Sequence, residues 1–295
     1  MTSTGRPAHP TGPDISAVVL TMGNRPDQLS AALASILRQR GVTTECIVVV
    51  NGPATVDVPE GVRRIDLTDN VGVPAGRNVG AAAATGRIVA FVDDDAELRG
   101  DDVLAVTAAR FDRSPDLAVV GWRLVDEQGE TAARHIPRPG RRGAGVAGPV
   151  AGFLGGACAI RAAAFQAVGG YPDGFVFAME ETDLMWRLVD AGWSLWYEPR
   201  CVLFHPRSVP SRQATVLERT ARNRAWAAHR NLPLPIAVIH LALWTAIAGA
   251  RNGRAALRTT AVTGWRAWRA PLGPRRPMRW RTVARLTRLG RPPLI

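Results

Sequence analysis

Three consecutive carboxylates, Asp93, Asp94 and Asp95, close an apolar run in the segment FVDDDAE, residues 91–97. Adjacent like charges repel, and a buried unpaired carboxylate is costly. An Asp-x-Asp pair at a strand end can hold a divalent cation, since carboxylate oxygens are hard ligands suited to Mg²⁺ or Mn²⁺ and leave positions for phosphate oxygens. The same letters also suit a helix N-cap, where aspartates satisfy free N–H groups. Upstream, NVGVPAGRN at residues 70–78 offers backbone N–H groups, Arg77 and a helix N-terminus to a pyrophosphate. An anion cradle followed by a cation site points to a nucleoside diphosphate.

A second acidic group, Glu180, Glu181 and Asp183, follows the aromatic run FVF at residues 175–177. Crowding and partial burial there can raise a carboxyl pKa into the range of a general base. Helix capping and dipole complementation are the competing use. His205 ends the apolar run CVLFH. It joins a metal site only if the fold brings it to the aspartates, and is otherwise structural.

The elements that would position these groups are legible as patterns. ISAVVLT at 15–21, ECIVVV at 45–50, residues 62–67 and residues 88–92 read as strands. Pro26 opens a helix with Leu29, Leu33, Ile36 and Leu37 on one face, ending near Gly41. Residues 70–87 read as a loop feeding an Ala-rich helix. This alternation predicts an open, Rossmann-like α/β sheet, mixed but mostly parallel and flanked by helices. Ligands bind such sheets beyond the carboxyl ends of the strands, where Asn24, Asn51 and Asp93–Asp95 fall. Further on, residues 103–111 read as a helix and 117–125 as a strand; apolar structure resumes at 156–161, 179–192 reads as a helix, and 193–205 as strand and turn. The Gly-, Pro- and Arg-rich stretch 137–152 has the length and composition of a lid or a linker.

Charge divides the chain. Residues 206–295 hold 18 Arg and one acid, Glu218, while the other 24 Asp and Glu lie before them and no Lys occurs anywhere. Such a region suits an anionic surface. Within it, residues 216–230 read as an Arg-rich helix. LPLPIAVIHLALWTAIAGA at 232–250 has His240 as its sole titratable group. Its length could just cross a hydrocarbon core of about 30 Å. Crossing would export twelve Arg beyond residue 250, against the positive-inside tendency. An interfacial or re-entrant helix is therefore expected, with a plain core helix as the alternative, followed by a partly irregular Arg- and Trp-rich end. Residues 1–13 lack a signal-peptide core and read as disordered. Cys46, Cys158 and Cys201 form no CxxC pair and read as core thiols of a reducing compartment.

Over residues 15–208 the chain resembles family-2 glycosyltransferases of the GT-A type, through VVLTMGNRPDQLSAALASILRQ, IVVVNGP, NVGVPAGRNVGAAAATGRIVAFVDDDA, GGACAIR, MEETDLMWRLVDAGW and LFHPRS in that order. The resemblance implies a nucleotide-sugar donor, a Mn²⁺ or Mg²⁺ cofactor and inverting transfer to an acceptor hydroxyl. It also suggests a glycan or lipid-linked acceptor at the cytoplasmic face of a membrane. Residue by residue, it assigns Thr21, Asn24, Asn51, Gly72, Arg77, Asn78, Asp93 and Asp94 to the donor. Gly155 and Gly156 border donor sugar and acceptor. Asp93, Asp95 and His205 fall to the metal, and Glu181 to the base, with Glu180 and Asp183 flanking it. The chain departs from the family pattern in three places. Glu181 stands where Asp is usual, making Asp183 a rival base. Met22-Gly23 replaces an aromatic, and Val50 replaces an acid that helps read the nucleobase. The expected organisation is a disordered 1–13, a catalytic domain over 14–208 and a helical, basic, membrane-associating appendage over 209–295. Two alternatives stand beside this: a catalytically inactive basic protein bound to membrane or nucleic acid, and a nucleotidyltransferase. The first has charge in its favour but no specific nucleic-acid motif. The second leaves residues 179–184 unexplained.

Overall fold

The computed structural model describes residues 12–137, 141–207 and 213–294. Most of the expected disordered N-terminus, and residues 138–140 of the expected lid, lie outside them. The first half is built from β1 (Ile15–Thr21), α1 (Pro26–Leu37), β2 (Thr44–Asn51), β3 (Val62–Leu67), α2 (Val73–Ala83), β4 (Ile88–Asp93) and β5 (Glu97–Arg99). It continues with α3 (Val103–Asp112), β6 (Leu117–Val125), β7 (Gly148–Pro149), β8 (Ala157–Arg161), α4 (Ala162–Ala167), α5 (Glu180–Asp190) and β9 (Ser194–Phe204).

The β-branched runs pair as one nine-stranded sheet in the order β3-β2-β1-β4-β8-β6-β9-β5, with β7 on β9. β1, β2, β3 and β4 are mutually parallel, whereas β8 runs antiparallel to β4 and β6. Side chains alternate across a strand, so β1 sends Val18 to one core and Ala17 and Val19 to the other. Both faces are covered by helices, which is why these strands read as unbroken apolar runs. Parallel β1, β2 and β4 end at one edge. That edge carries Thr21, Asn51 and Asp93. The three cysteines are free and buried.

Three helices complete the chain: α6 (Gln213–Asn231), α7 (Leu234–Arg269) and α8 (Trp280–Arg288). The apolar stretch 232–250 is the front of a longer helix, kinked at Gly253, where φ is +84°. The end is partly irregular, as expected, with α8 set between irregular residues 270–279 and 289–294. Ala227, Ala228, Leu232, Ala237, Met278 and Leu286 are buried in the same core as Phe91 of β4. Part of the expected lid is also tied down: β7 pairs with β9, and the Tyr197 hydroxyl donates to the Ala144 carbonyl at 2.9 Å.

The join between α5 and α6 is ionic. Asp183, fully buried, accepts from Arg187 at 2.6 Å and from the Asn231 amide at 2.6 Å, with Arg230 3.8 Å away. Arg187 also donates to the carbonyls of Val168 and Gly170 at 2.6 and 2.7 Å. Removing one partner of a buried pair strands the other charge. Asp183→Ala is expected to lower unfolding free energy by about 3–5 kcal/mol in urea titrations, with far-UV circular dichroism of the native state preserved.

Candidate active site

The strand-end aspartates do not share one environment. Asp93, Asp95 and His205 offer ligand atoms that all lie within 4.8 Å of one another. His205, just beyond β9, sets its Nε2 3.2 Å from Asp95 Oδ1 and 4.0 Å from Asp93 Oδ2. Its Nδ1 lies 2.7 Å from the Pro206 carbonyl. That contact assigns the Nδ1 proton to the carbonyl and turns Nε2 toward the carboxylates, the arrangement of a metal-ligating imidazole. Two carboxylate oxygens and one imidazole nitrogen suit Mn²⁺ or Mg²⁺, so the residues fit the expected cation. In the metal-free protein the hydrogen bond to Asp95 raises the His205 pKa to about 9, against the opposing effect of burial.

Asp94 turns away from this trio. It accepts from the buried Thr21 hydroxyl at 2.7 Å, and Thr21 in turn accepts from the Gly23 N–H at 3.0 Å. Burial and its acidic neighbours hold the Asp94 pKa above the ordinary aspartate value. Arg25, just before α1, lies 3.5 Å from Asp94 and pairs closely with Asp95. Sequence reading missed Arg25. Its one signal was a cation in the turn between β1 and α1, which opens at the same sheet edge.

Arg77, 6% exposed, links the two acidic groups. It donates to Asp93 Oδ1 at 2.7 Å and lies 4.0 Å from Glu181 Oε1. Burial works against its charge, but Asp93 and Glu181 raise its pKa all the same. Arg77 is therefore a brace between carboxylates. Glu181 also accepts from the Gly155 N–H at 3.2 Å. Gly155 and Gly156 are required by close approach. A Cβ on Gly155 would lie 2.3 Å from Arg77 Nη1, and one on Gly156 2.0 Å from the Asp93 carboxylate.

The two glutamates differ. Glu180 is buried, its Oε2 has no partner among the described residues, and burial with the Glu181 charge beside it pushes its pKa up to about 8. It is held neutral. Glu181 has a 28% exposed side chain, and its pKa is raised by burial, with Arg77 opposing. Of the acids at the start of α5, Glu181 alone joins the strand-end cluster. Asp183 does not: three residues beyond Glu180, it faces the core, and its carboxylate is held by Arg187 and Asn231.

Other expected donor residues brace loops. Asn51 accepts from the Val71 N–H at 2.9 Å and donates to Asn70 Oδ1 at 3.1 Å. Asn78 accepts from the Tyr171 N–H and donates to the Tyr171 carbonyl, both at 2.9 Å. Both amide nitrogens are fully engaged within the protein. Asn24 is exposed beyond β1. Gly72, at φ +88°, packs against Val176, where a Cβ would meet the Val176 Cα at 2.7 Å. Val176, Ala178 and Met179 all have positive φ (61°, 73° and 72°). Such strain in non-glycine residues persists only when surroundings impose it. Here Asn223 of α6 does so, its amide nitrogen lying 2.8–2.9 Å from the carbonyls of Phe175, Phe177 and Ala178. This residue, too, was missed.

Known proteins share the family and the fold of this chain. The family model described as glycosyl transferase family 2 matches residues 17–169. The chain is 34% identical over 143 residues to the pre-mycofactocin glycosyltransferase of Mycobacterium tuberculosis, covering 45% of this chain and 30% of that protein. It is 39% identical over 102 residues to the succinoglycan biosynthesis protein ExoO of Rhizobium meliloti, covering 32% and 29%. These matches span under a third of the relatives' length. Among solved structures, the mannosyltransferase PcManGT of Pyrobaculum calidifontis, in complex with GDP-Man and Mn²⁺, superposes with a TM-score of 0.56 at 20% identity, covering 94% of this chain and 79% of that one. GalNAc-T7 with UDP, GalNAc and Mn²⁺ superposes at 0.57 and 14% identity, covering 72% and 47%. The fold is thus GT-A.

The Glu180 environment has a measurable consequence. Its folded pKa is raised, so the native chain keeps a proton that the unfolded chain has lost. Stability therefore falls as pH rises from the ordinary glutamate value, about 4.3, toward about 8. Glu180→Gln is expected to leave the Tm unchanged near pH 4 and to raise it progressively above the parent's toward pH 8 in calorimetric scans.

Proposed function

This chain belongs to glycosyl transferase family 2, and on that footing we propose that it is a metal-dependent, inverting glycosyltransferase acting on a nucleotide-diphosphate sugar. The carrying observation is the pairing of a two-carboxylate, one-imidazole cation site with Glu181, joined through Arg77. Asp93, Asp95 and His205 hold the cation. A bound Mn²⁺ or Mg²⁺ supplies Lewis-acid neutralisation of the departing diphosphate. Glu181 takes the proton from the acceptor hydroxyl as its oxygen attacks the anomeric carbon. The bond to the diphosphate breaks on the opposite face, so that carbon inverts, and no enzyme nucleophile is needed. The Gly155 N–H and Arg77 orient the base, while Arg77 keeps it ionisable despite burial. Asn223 and the strained residues 176–179 hold the start of α5, and with it the base, in register.

The acceptor in this reading is a lipid-linked or cell-envelope glycan, and the enzyme works at the inner face of the cell membrane without crossing it. Support comes from α7 and α8. α7 is long and apolar enough to span a bilayer, with 17% of its apolar window buried. Yet Ala237 and His240 pack into the protein, the latter edge-on to Trp186 of α5. Its outer row, Leu234, Val238 and Ile239, is exposed, as are Trp265 and, on α8, Trp280. An exposed apolar row beside arginines and indoles suits the headgroup level.

Glu181→Gln is expected to lower sugar transfer by about 10²–10⁴-fold while the thermal shift given by nucleotide sugar plus Mn²⁺ is retained; near-normal turnover would assign the base elsewhere. Because the Glu181 pKa is raised and only the carboxylate accepts a proton, the acidic limb of kcat/KM should lie above the ordinary glutamate range. The full-length protein should pellet with anionic liposomes at low salt and release as salt rises. Failure to pellet removes the membrane assignment and leaves the chemistry standing.

A further inference from the structure

Beside the base lies a cleft whose chemistry no sequence motif announced. It encloses about 60 Å³ and is bordered by Gly152, Phe153 and Leu154, with Trp122, His135 and Arg291 among its other walls. Leu154 directly precedes Gly155, whose N–H binds Glu181. Through that one-residue step the cleft wall continues in the chain to the backbone N–H that holds Glu181.

Its lining is cationic. Arg134 and Arg291 border it, and no carboxylate does. Neither guanidinium has an ion-pair partner among the described residues, in a protein whose other site cations are matched to acids. Arg134 Nε donates to His135 Nε2 at 3.0 Å. That contact puts the His135 proton on Nδ1, a buried donor without a partner among the described residues. Arg291 is not a loose tail residue. Its N–H donates to the Leu286 carbonyl of α8 at 3.0 Å, and the following segment is fastened by buried His240, whose Nδ1 lies 3.0 Å from the Pro293 carbonyl. The guanidinium is thereby laid over Gly152, where a Cβ would approach Nη1 to 3.1 Å. Phe153 supplies an apolar wall.

We propose that the acceptor carries an oxyanion, a phosphate or a carboxylate, and that this cleft receives that group, held by Arg134 and Arg291. Forked guanidinium donors bind such groups in preference to neutral hydroxyls. The inference rests on the sugar-transfer reading and adds the acceptor's charge to it. It also gives the C-terminal segment a role in selecting that acceptor.

The test uses the full-length protein with Mn²⁺ and saturating UDP and GDP, so that the donor site is filled. Citronellyl phosphate is titrated against citronellol, and octyl glucuronide against octyl glucoside, by calorimetry. At least one charged probe is expected to bind about tenfold or more tightly than its neutral partner, and the successful pair identifies phosphate or carboxylate. Arg291→Gln should abolish that preference, Arg291→Lys should restore part of it, and UDP or GDP affinity should not change in either. Equal binding of charged and neutral probes, a preference that survives both Arg291→Gln and Arg134→Gln, or displacement of the charged probe by UDP or GDP would each overturn the proposal. If neither UDP nor GDP binds with Mn²⁺, the sugar-transfer reading itself fails, and this inference falls with it.

Discussion

Carboxylate crowding at the end of β4 is the constraint around which the rest of the site is arranged. Three aspartates and two glutamates converge at one sheet edge, and each needs its own answer to like-charge repulsion and desolvation. Arg77 answers for Asp93 and Glu181 together. The Thr21 hydroxyl serves Asp94, Arg25 and His205 serve Asp95, and Glu180 is left to carry a proton. The result is differentiation: two aspartates face the candidate cation site, one glutamate stands where the proposed mechanism needs a base, and another is neutralised as packing. A buried guanidinium can do this where an ammonium would not, because its planar fork reaches two carboxylates at once.

That arrangement dictates the backbone around it. Arg77 and Asp93 can lie against the 155–156 segment only because both residues there lack a Cβ. The loop before α5 must deliver Glu181 from the opposite side, and does so through three positive-φ non-glycine residues. Unsupported, such a loop would relax and release strain of the order of 1–3 kcal/mol per residue. The support comes from Asn223, far downstream. The basic C-terminal region thus packs into the core through its inner face and leaves apolar residues of its outer face exposed. Asp183 anchors the same junction, which explains why an acid stands there without being a base.

Much of the fold was legible because its strands are buried on both sides. ISAVVLT and ECIVVV leave little room for another reading, and parallel strands necessarily end together, so Thr21, Asn51 and Asp93 could be placed at one edge. Side-chain direction was not legible. Glu180, Glu181 and Asp183 differ by about 100° steps around a helix, and nothing local says which step faces the cleft. Asn51 and Asn78 sit beside the cradle in sequence, yet their amides are engaged by the turns at Val71 and Tyr171. Long-range partners were the other blind spot. Arg25 meets Asp95 across 70 positions and Asn223 reaches Phe175 across 48. For Asn223 a faint signal existed: Asn223, Ala227 and Asn231 recur at four-residue spacing, a small and polar row inside an otherwise arginine-rich helix. Such a row marks a face turned toward backbone rather than toward solvent.

The distribution of arginine follows from the same electrostatics. Within the catalytic domain, arginines at the site are matched to carboxylates and their fields cancel locally. Beyond residue 206 they outnumber acids 18 to one, so their field extends outward and is limited mainly by salt. An enzyme of this kind must meet a diffusible anionic donor and hold an acceptor in another environment. Internal neutralisation keeps the cation site open to a diphosphate. The unneutralised tail is free to engage an anionic surface, and at Arg291 one of its cations turns inward to the edge of the cleft. In the proposed reading, acceptor capture and surface attachment draw on a single structural element, α7 with the segment fastened to it through His240. A change in how that helix lies on a surface has a direct mechanical route to the wall of the site.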